Sequence, residues 1–173
     1  MVEPEIPSAR FWRFALAAYM PPEARGLFLR LQDEGGADVP MALFCLWCGS
    51  DGVRLPDAAM AGAVAFSAAW RTARVEPLRA LRRGWKDGTV DLPSALSEAA
   101  RQSVAKAEQA VERLQMEHLS TLRADRERAG EEEVEHAAHD NLALYCRLAG
   151  LSPDPTLLDT VARMAWMDPS AIA

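Results

Sequence analysis

Apolar residues recur along this chain at three- and four-residue intervals, the spacing of one helix face, and no stretch alternates apolar with polar as a half-buried strand would. The pattern predicts helices almost throughout. Ser8 is placed to cap a first helix reaching about Met20, with Phe11, Phe14, Ala15, Ala18 and Tyr19 on one face. Pro21 and Pro22 end it and open a second, which carries Ala24, Leu27, Phe28 and Leu31 on one stripe and stops at Gly35 and Gly36.

A third helix is predicted from about Pro40 to Gly49, with Asp38 placed to cap its free amides. Its sequence, MALFCLWC, is apolar on every side, which puts it at the centre of the core. Ser50 to Gly52 reads as a loop. A fourth helix spans Asp57 to Lys86, with a kink or break near Val75 and Glu76 because Pro77 lacks an amide donor.

Beyond a loop at Asp87 to Leu92, Pro93 opens a long helix. Leu96, Ala100, Val104, Ala107, Val111, Leu114 and His118 step along it as a near-heptad seam that needs a partner helix. The expected partner is Glu131 to Leu148, which carries Val134, Ala138, Leu142, Tyr145 and Leu148 on one face, in an antiparallel hairpin turning near Gly130. A second copy of the chain could close the same seam, so a homodimer is also compatible with it. Ser152 and Pro153 start a last short helix to about Trp166.

The expectation is an all-α, single-domain bundle of six or seven helices. It comprises a tail over residues 1–7, an N-terminal core over 8–92, the hairpin over 93–150, and a last helix and tail over 151–173. At 173 residues, half of them apolar, the chain is long enough for one substantial core.

The first ten residues hold two glutamates and two prolines with no basic stretch leading into an apolar one, so no secretory signal is expected. The longest uncharged apolar run, Ala58 to Trp70, is thirteen residues, short of the ~20 a membrane span needs. Three cysteines are too few and too odd in number for a disulfide scaffold. These features place the protein in the cytoplasm, without a membrane partner. The formal charge of −6 argues against nucleic acid as a partner.

Two motifs invite a chemical reading. Cys45 and Cys48 form a CxxC, but they fall in the last turn of a helix, where the dipole opposes thiolate, amid Phe44, Leu46 and Trp47. Cys146 and His139 lie seven residues apart, ~10 Å along a helix, too far to complete a zinc site easily. Core packing is the expectation for these thiols.

Glu133 stands three residues before His136, as in di-iron bundles, yet the only approximate second copy has Gln115 where the glutamate should precede His118. In the expected hairpin His118 and His139 would approach one another. No cofactor and no metal site are expected, and a metal-binding helical protein using His118, His136 and His139 is the least favoured of the functional readings. The chain also lacks the nucleophile elbow, the phosphate-binding loops and the zinc-protease signature that would mark an enzyme.

The least ordinary segment is WRTARVEPLRALRRGWK, Trp70 to Lys86. It carries Arg71, Arg74, Arg79, Arg82, Arg83 and Lys86 against Glu76 alone, a net +5 in a chain whose remainder sums to −11. These six cations are the candidate surface for an acidic protein or other anionic partner, against internal pairing with Asp33, Glu34 or Asp38. On the partner reading the protein is a non-catalytic interaction or regulatory module. The rival reading is a small-ligand site or active site between the early helices, lined by Trp12, Asp33, Asp38, Trp70 and Arg71.

Phe11 to Tyr19 (FWRFALAAY), Leu31 to Gly49 (LQDEGGADVPMALFCLWCG) and the basic segment together resemble a family of small, uncharacterised proteobacterial proteins of unknown function. The resemblance implies no activity. Pro40 stands where the family pattern suggests asparagine, and Cys48 where an aliphatic residue is more usual, which speaks against the CxxC as that family's chemistry.

Overall fold

The computed structural model describes residues 7–85, 94–123 and 131–164. The chain is an all-α bundle: α1 (Pro7–Tyr19), α2 (Pro22–Asp33), α3 (Val39–Ser50), α4 (Asp57–Trp70), a π-helical turn (Arg71–Val75), α5 (Glu76–Gly84), α6 (Ser94–Leu122), α7 (Glu131–Ala149) and α8 (Pro155–Arg163). No helix among the described residues is long and apolar enough to cross a membrane. The expected tail before Ser8, the loop at Asp87 to Leu92, the turn near Gly130 and the end at Trp166 lie outside the described residues, Pro7 apart.

As its uniform apolarity predicts, α3 is the centre of the core, every residue from Pro40 to Gly49 being buried. Phe11 of α1 stacks on Trp47, with ring centroids 4.8 Å apart. Gly49 does not end the helix. It lies inside α3, against α7, where a Cβ would come within 2.3 Å of the Ala138 Cα. Two small residues therefore let the α3 and α7 backbones approach closely. Along the same crossing, Asn141 accepts the Leu55 amide at 2.8 Å and donates to the Val53 carbonyl at 2.8 Å and the Cys45 carbonyl at 3.3 Å. The connection from α3 to α4 is thus fastened to α7 by one buried side chain.

The principal departure from the sequence reading concerns α6. Its chief neighbours are α1, α5, α3 and α4, whereas α7 packs mainly on α3, α4 and α8. The two helices expected to form a hairpin spend their faces on other elements. The expected seam is not the buried one, since Leu96 is 66% and Leu114 51% exposed. The buried stripe instead runs through Glu108, Gln115, Met116, Leu119 and Ser120, and its upper part is polar because the facing helix supplies arginines.

Smaller corrections share a local cause. Asp38 sits at the N-cap of α3 but makes no side-chain cap bond, and one of the two amides that such a cap would serve is missing at Pro40. The cap of α8 is Asp154, accepting the Leu157 amide at 3.0 Å, two residues beyond Ser152, where the helix was expected to start. Near Pro77 the helix widens rather than breaks. The Glu76 amide donates to the Arg71 carbonyl five residues back, and Arg74 Nη1 donates over 3.4 Å to the Ala73 carbonyl, the partner a non-proline residue 77 would have used.

Replacing Gly49 with alanine should destabilise the fold by at least ~2 kcal/mol, because neither backbone at the crossing can yield cheaply. Gly26→Ala, in α2 with nothing within 4 Å of the added methyl, should stabilise by about 0.5–1 kcal/mol. Urea unfolding of the two variants checks both signs.

Candidate functional site

The basic segment is built into the body of the protein by an ionic seam. Arg79 and Arg82, three residues apart and so on one side of the helix, turn toward α6, which answers with Glu108 and Glu112. Arg79 bonds Glu108 Oε1 and Glu112 Oε1, each at 3.0 Å, and Arg82 Nε meets Glu108 Oε2 at 2.6 Å. The Arg79 side chain is 17% exposed and that of Glu108 9%, so this seam is largely out of water. Burial alone would raise the Glu108 carboxyl, but hydrogen bonds and charge from Arg82 and Arg79 outweigh it and hold the group below its usual range. Burial dominates at Glu112, whose carboxyl is pushed up.

Arg71 bonds Glu76 at 3.0 Å and reaches the Gly36 carbonyl at 3.3 Å. Of the six candidate cations, Arg71, Arg79 and Arg82 therefore have internal carboxylate partners, none of them Asp33, Glu34 or Asp38. Arg74 meets only a backbone carbonyl, and Arg83 is exposed with no ion pair among the described residues. Lys86 lies outside the described residues. Pairing of Arg79 and Arg82 was invisible in the sequence because Glu108 and Glu112 lie about thirty residues away on a helix whose facing stripe had been assigned to its apolar residues.

The alternative pocket is not assembled. Trp12 lies under the Arg113 guanidinium, 4.9 Å from its ring centroid, Asp33 is exposed beside Gln32, and the Trp70 indole donates to the Val111 carbonyl at 3.0 Å. Asp38 alone joins the seam, beside Gln115, with Arg71 and Arg79 near enough to act on it electrostatically. A cavity of about 270 Å³ does exist between α1, α2 and α8, but Phe14, Ala18, Ala24, Leu27 and Met164 make its walls largely apolar, and none of the expected residues lines it.

His118 packs against Phe66 with the rings tilted by 35° and centroids 3.9 Å apart, while His139 Nε2 lies 3.1 Å from Asp159, so the two histidines serve different contacts. His136 is exposed, and the side chain of Glu133 lies outside the described residues. Among the described residues no group of three or more His, Cys, Asp or Glu could hold a metal ion. Cys45, Cys48 and Cys146 are buried and unpaired, and burial pushes the last two up to about 12 and about 11.

Asn141, which holds the α3–α4 connection, and Arg123 were missed. Arg123 lies over the Trp47 ring at 4.4 Å and bonds Asp51 at 2.6 Å, anchoring the end of α6. The one signal for Asn141 was a polar residue within the apolar stripe of α7.

Arg79→Ala should cost about 2–4 kcal/mol, by leaving Glu108 and Glu112 short of charge in a buried seam. Arg83→Ala should stay within about 0.5 kcal/mol. Chemical denaturation of both variants at neutral pH makes the comparison. A thiol-reactive dye should label none of the three cysteines in the native protein over minutes and all three after unfolding.

No curated protein matches the chain, and no solved structure does. A family model described as a protein of unknown function (DUF2390) matches residues 10–119, which run from α1 almost to the end of α6 and include the whole ionic seam. The chain belongs to this family of unknown function.

Proposed function

We propose that the protein is a non-catalytic interaction module whose docking surface is the outward face of α5, and that it takes an acidic helical partner. The observation that supports this is the division of labour along one short helix. Its inner face is committed to α6 through Arg79 and Arg82, yet no residue of α5 is buried. The opposite face carries Ala73, Pro77, Ala80, Leu81 and Gly84, all exposed, with Leu81 at 51% and open space where a Cβ on Gly84 would stand.

Spacings of three and four residues gather these into one low, apolar strip that a second helix can approach closely. Arg74 and Arg83 edge it. They are exposed cations without a carboxylate partner among the described residues, in a segment that opposes the charge of the rest of the chain. Such an edge attracts acidic side chains and fixes their register, while the apolar strip supplies burial.

Two variants separate this surface from the seam behind it. Arg74→Glu with Arg83→Glu, and Leu81→Asp alone, should fold as wild type by circular dichroism. Each should reduce retention of a specific partner at least ~tenfold in a low-salt affinity experiment read by quantitative mass spectrometry. Retention should also fall as salt shortens the screening length from ~10 Å at 0.1 M to ~3 Å at 1 M. Equal retention by wild type and both variants would reject the surface. Reversing Arg79 and Arg82 tests only stability, since those side chains hold α5 to α6.

A further inference from the structure

Asp38 is the one carboxyl group of the seam with no cation of its own. It is partly buried at the start of α3, and its backbone amide donates to the Tyr145 hydroxyl of α7 at 2.8 Å. Its side chain does not cap the helix. Among the described residues no guanidinium pairs with it, since Arg71 is engaged by Glu76 and Gly36, and Arg79 by Glu108 and Glu112.

What the Asp38 carboxyl meets is Gln115 of α6, a fully buried side chain whose Nε2 donates to Asp38 Oδ2 and whose Oε1 has no hydrogen-bond partner. A buried orphan acceptor and a partly buried, uncompensated carboxylate are each costly, and one proton removes both costs. A carboxylic acid offers one donor and one acceptor, the complement of a terminal amide.

We propose that in mildly acidic solution Asp38 of the folded protein holds a proton and donates it to Gln115, and that this acid–amide pair is a proton-operated latch between the start of α3 and the C-terminal half of α6. The groups facing it are mixed. Gln115 and Glu112 come from α6, Arg71 from the π-helical turn, Arg79 from α5 and Tyr145 from α7, with Tyr19 of α1 acting on Glu112 and Arg79 behind them.

Burial raises the Asp38 carboxyl from 3.8 to about 6, against the pull of the Gln115 hydrogen bond and of Arg71 and Arg79. Because the folded-state value is the higher one, the latch is closed in acid. Its contribution to stability is full below about 4, is lost as pH rises toward about 6, and is absent above. The inference does not depend on the partner reading of α5.

Carbon-13 carboxyl NMR on aspartate-labelled wild-type protein, with Asp38 assigned through its backbone, reads the proton directly. A midpoint above about 5.5 is expected, near the hundredfold tighter proton binding that two pH units represent, and a midpoint below about 5.5 overturns the proposal. As a second reading, the unfolding midpoint of wild type relative to Asp38→Asn, which carries the amide analogue of the neutral acid, should fall as pH rises from about 4 to about 6. A difference independent of pH would also overturn it.

Discussion

The close crossing of α3 and α7 is the constraint on which the remaining arrangement rests. A helix buried on every side must be covered on every side, and α3 obtains its closest cover where Gly49 lies against Ala138 without room for another carbon. Because that approach is so short, the other groups on the same faces are in register. Asn141 reaches the carbonyls of Cys45 and Val53, and Tyr145 reaches the amide of Asp38. The cysteines lie in this apolar environment, where burial favours the neutral thiol over the thiolate that the chemistry of a CxxC requires.

With α7 committed to α3, the long α6 has to find other partners, and it finds them in α1 and in the rod made by α4, the π-helical turn and α5. The contact between α5 and α6 is ionic where the α3–α7 contact is apolar. Glu108 has two guanidiniums, Arg79 has two carboxylates, and little water reaches either. Such a seam contributes modest net stability while it is whole and costs much when it is half removed, so it fixes one register for α5. The π-helical turn accommodates Pro77 without breaking the rod, and Arg74 covers the carbonyl left over.

Division of the arginines between inner and outer faces follows from that register. Arg79 and Arg82 fall on the side of α6, whereas Arg74, Arg83 and Leu81 fall on the side of solvent. The same packing carries Asp38 and Gln115 into a place where neither has a charged neighbour of its own, so that a proton is the simplest group to complete their bonding. The two features are independent, one at the surface of α5 and the other at the root of α3.

Local sequence determined the helices, the central place of α3, the apolar setting of the CxxC and the irregularity before Pro77, because each depends on residues within a few positions of one another. What only the tertiary structure decided is which helix faces which. Apolar spacing on α6 pointed to Leu96 and Leu114, yet the face that is buried carries Glu108 and Gln115, since arginines on the facing helix pair with the Glu108 carboxylate and make it tolerable at an interior position. Asn141 escaped for the same reason: a buried polar group is explained only by its partners, and the Leu55 amide and the Val53 and Cys45 carbonyls lie more than eighty residues away along the chain. Local spacing encodes a helix and its amphipathic face, but pairing across the fold depends on complementary charge and on how closely two backbones can approach.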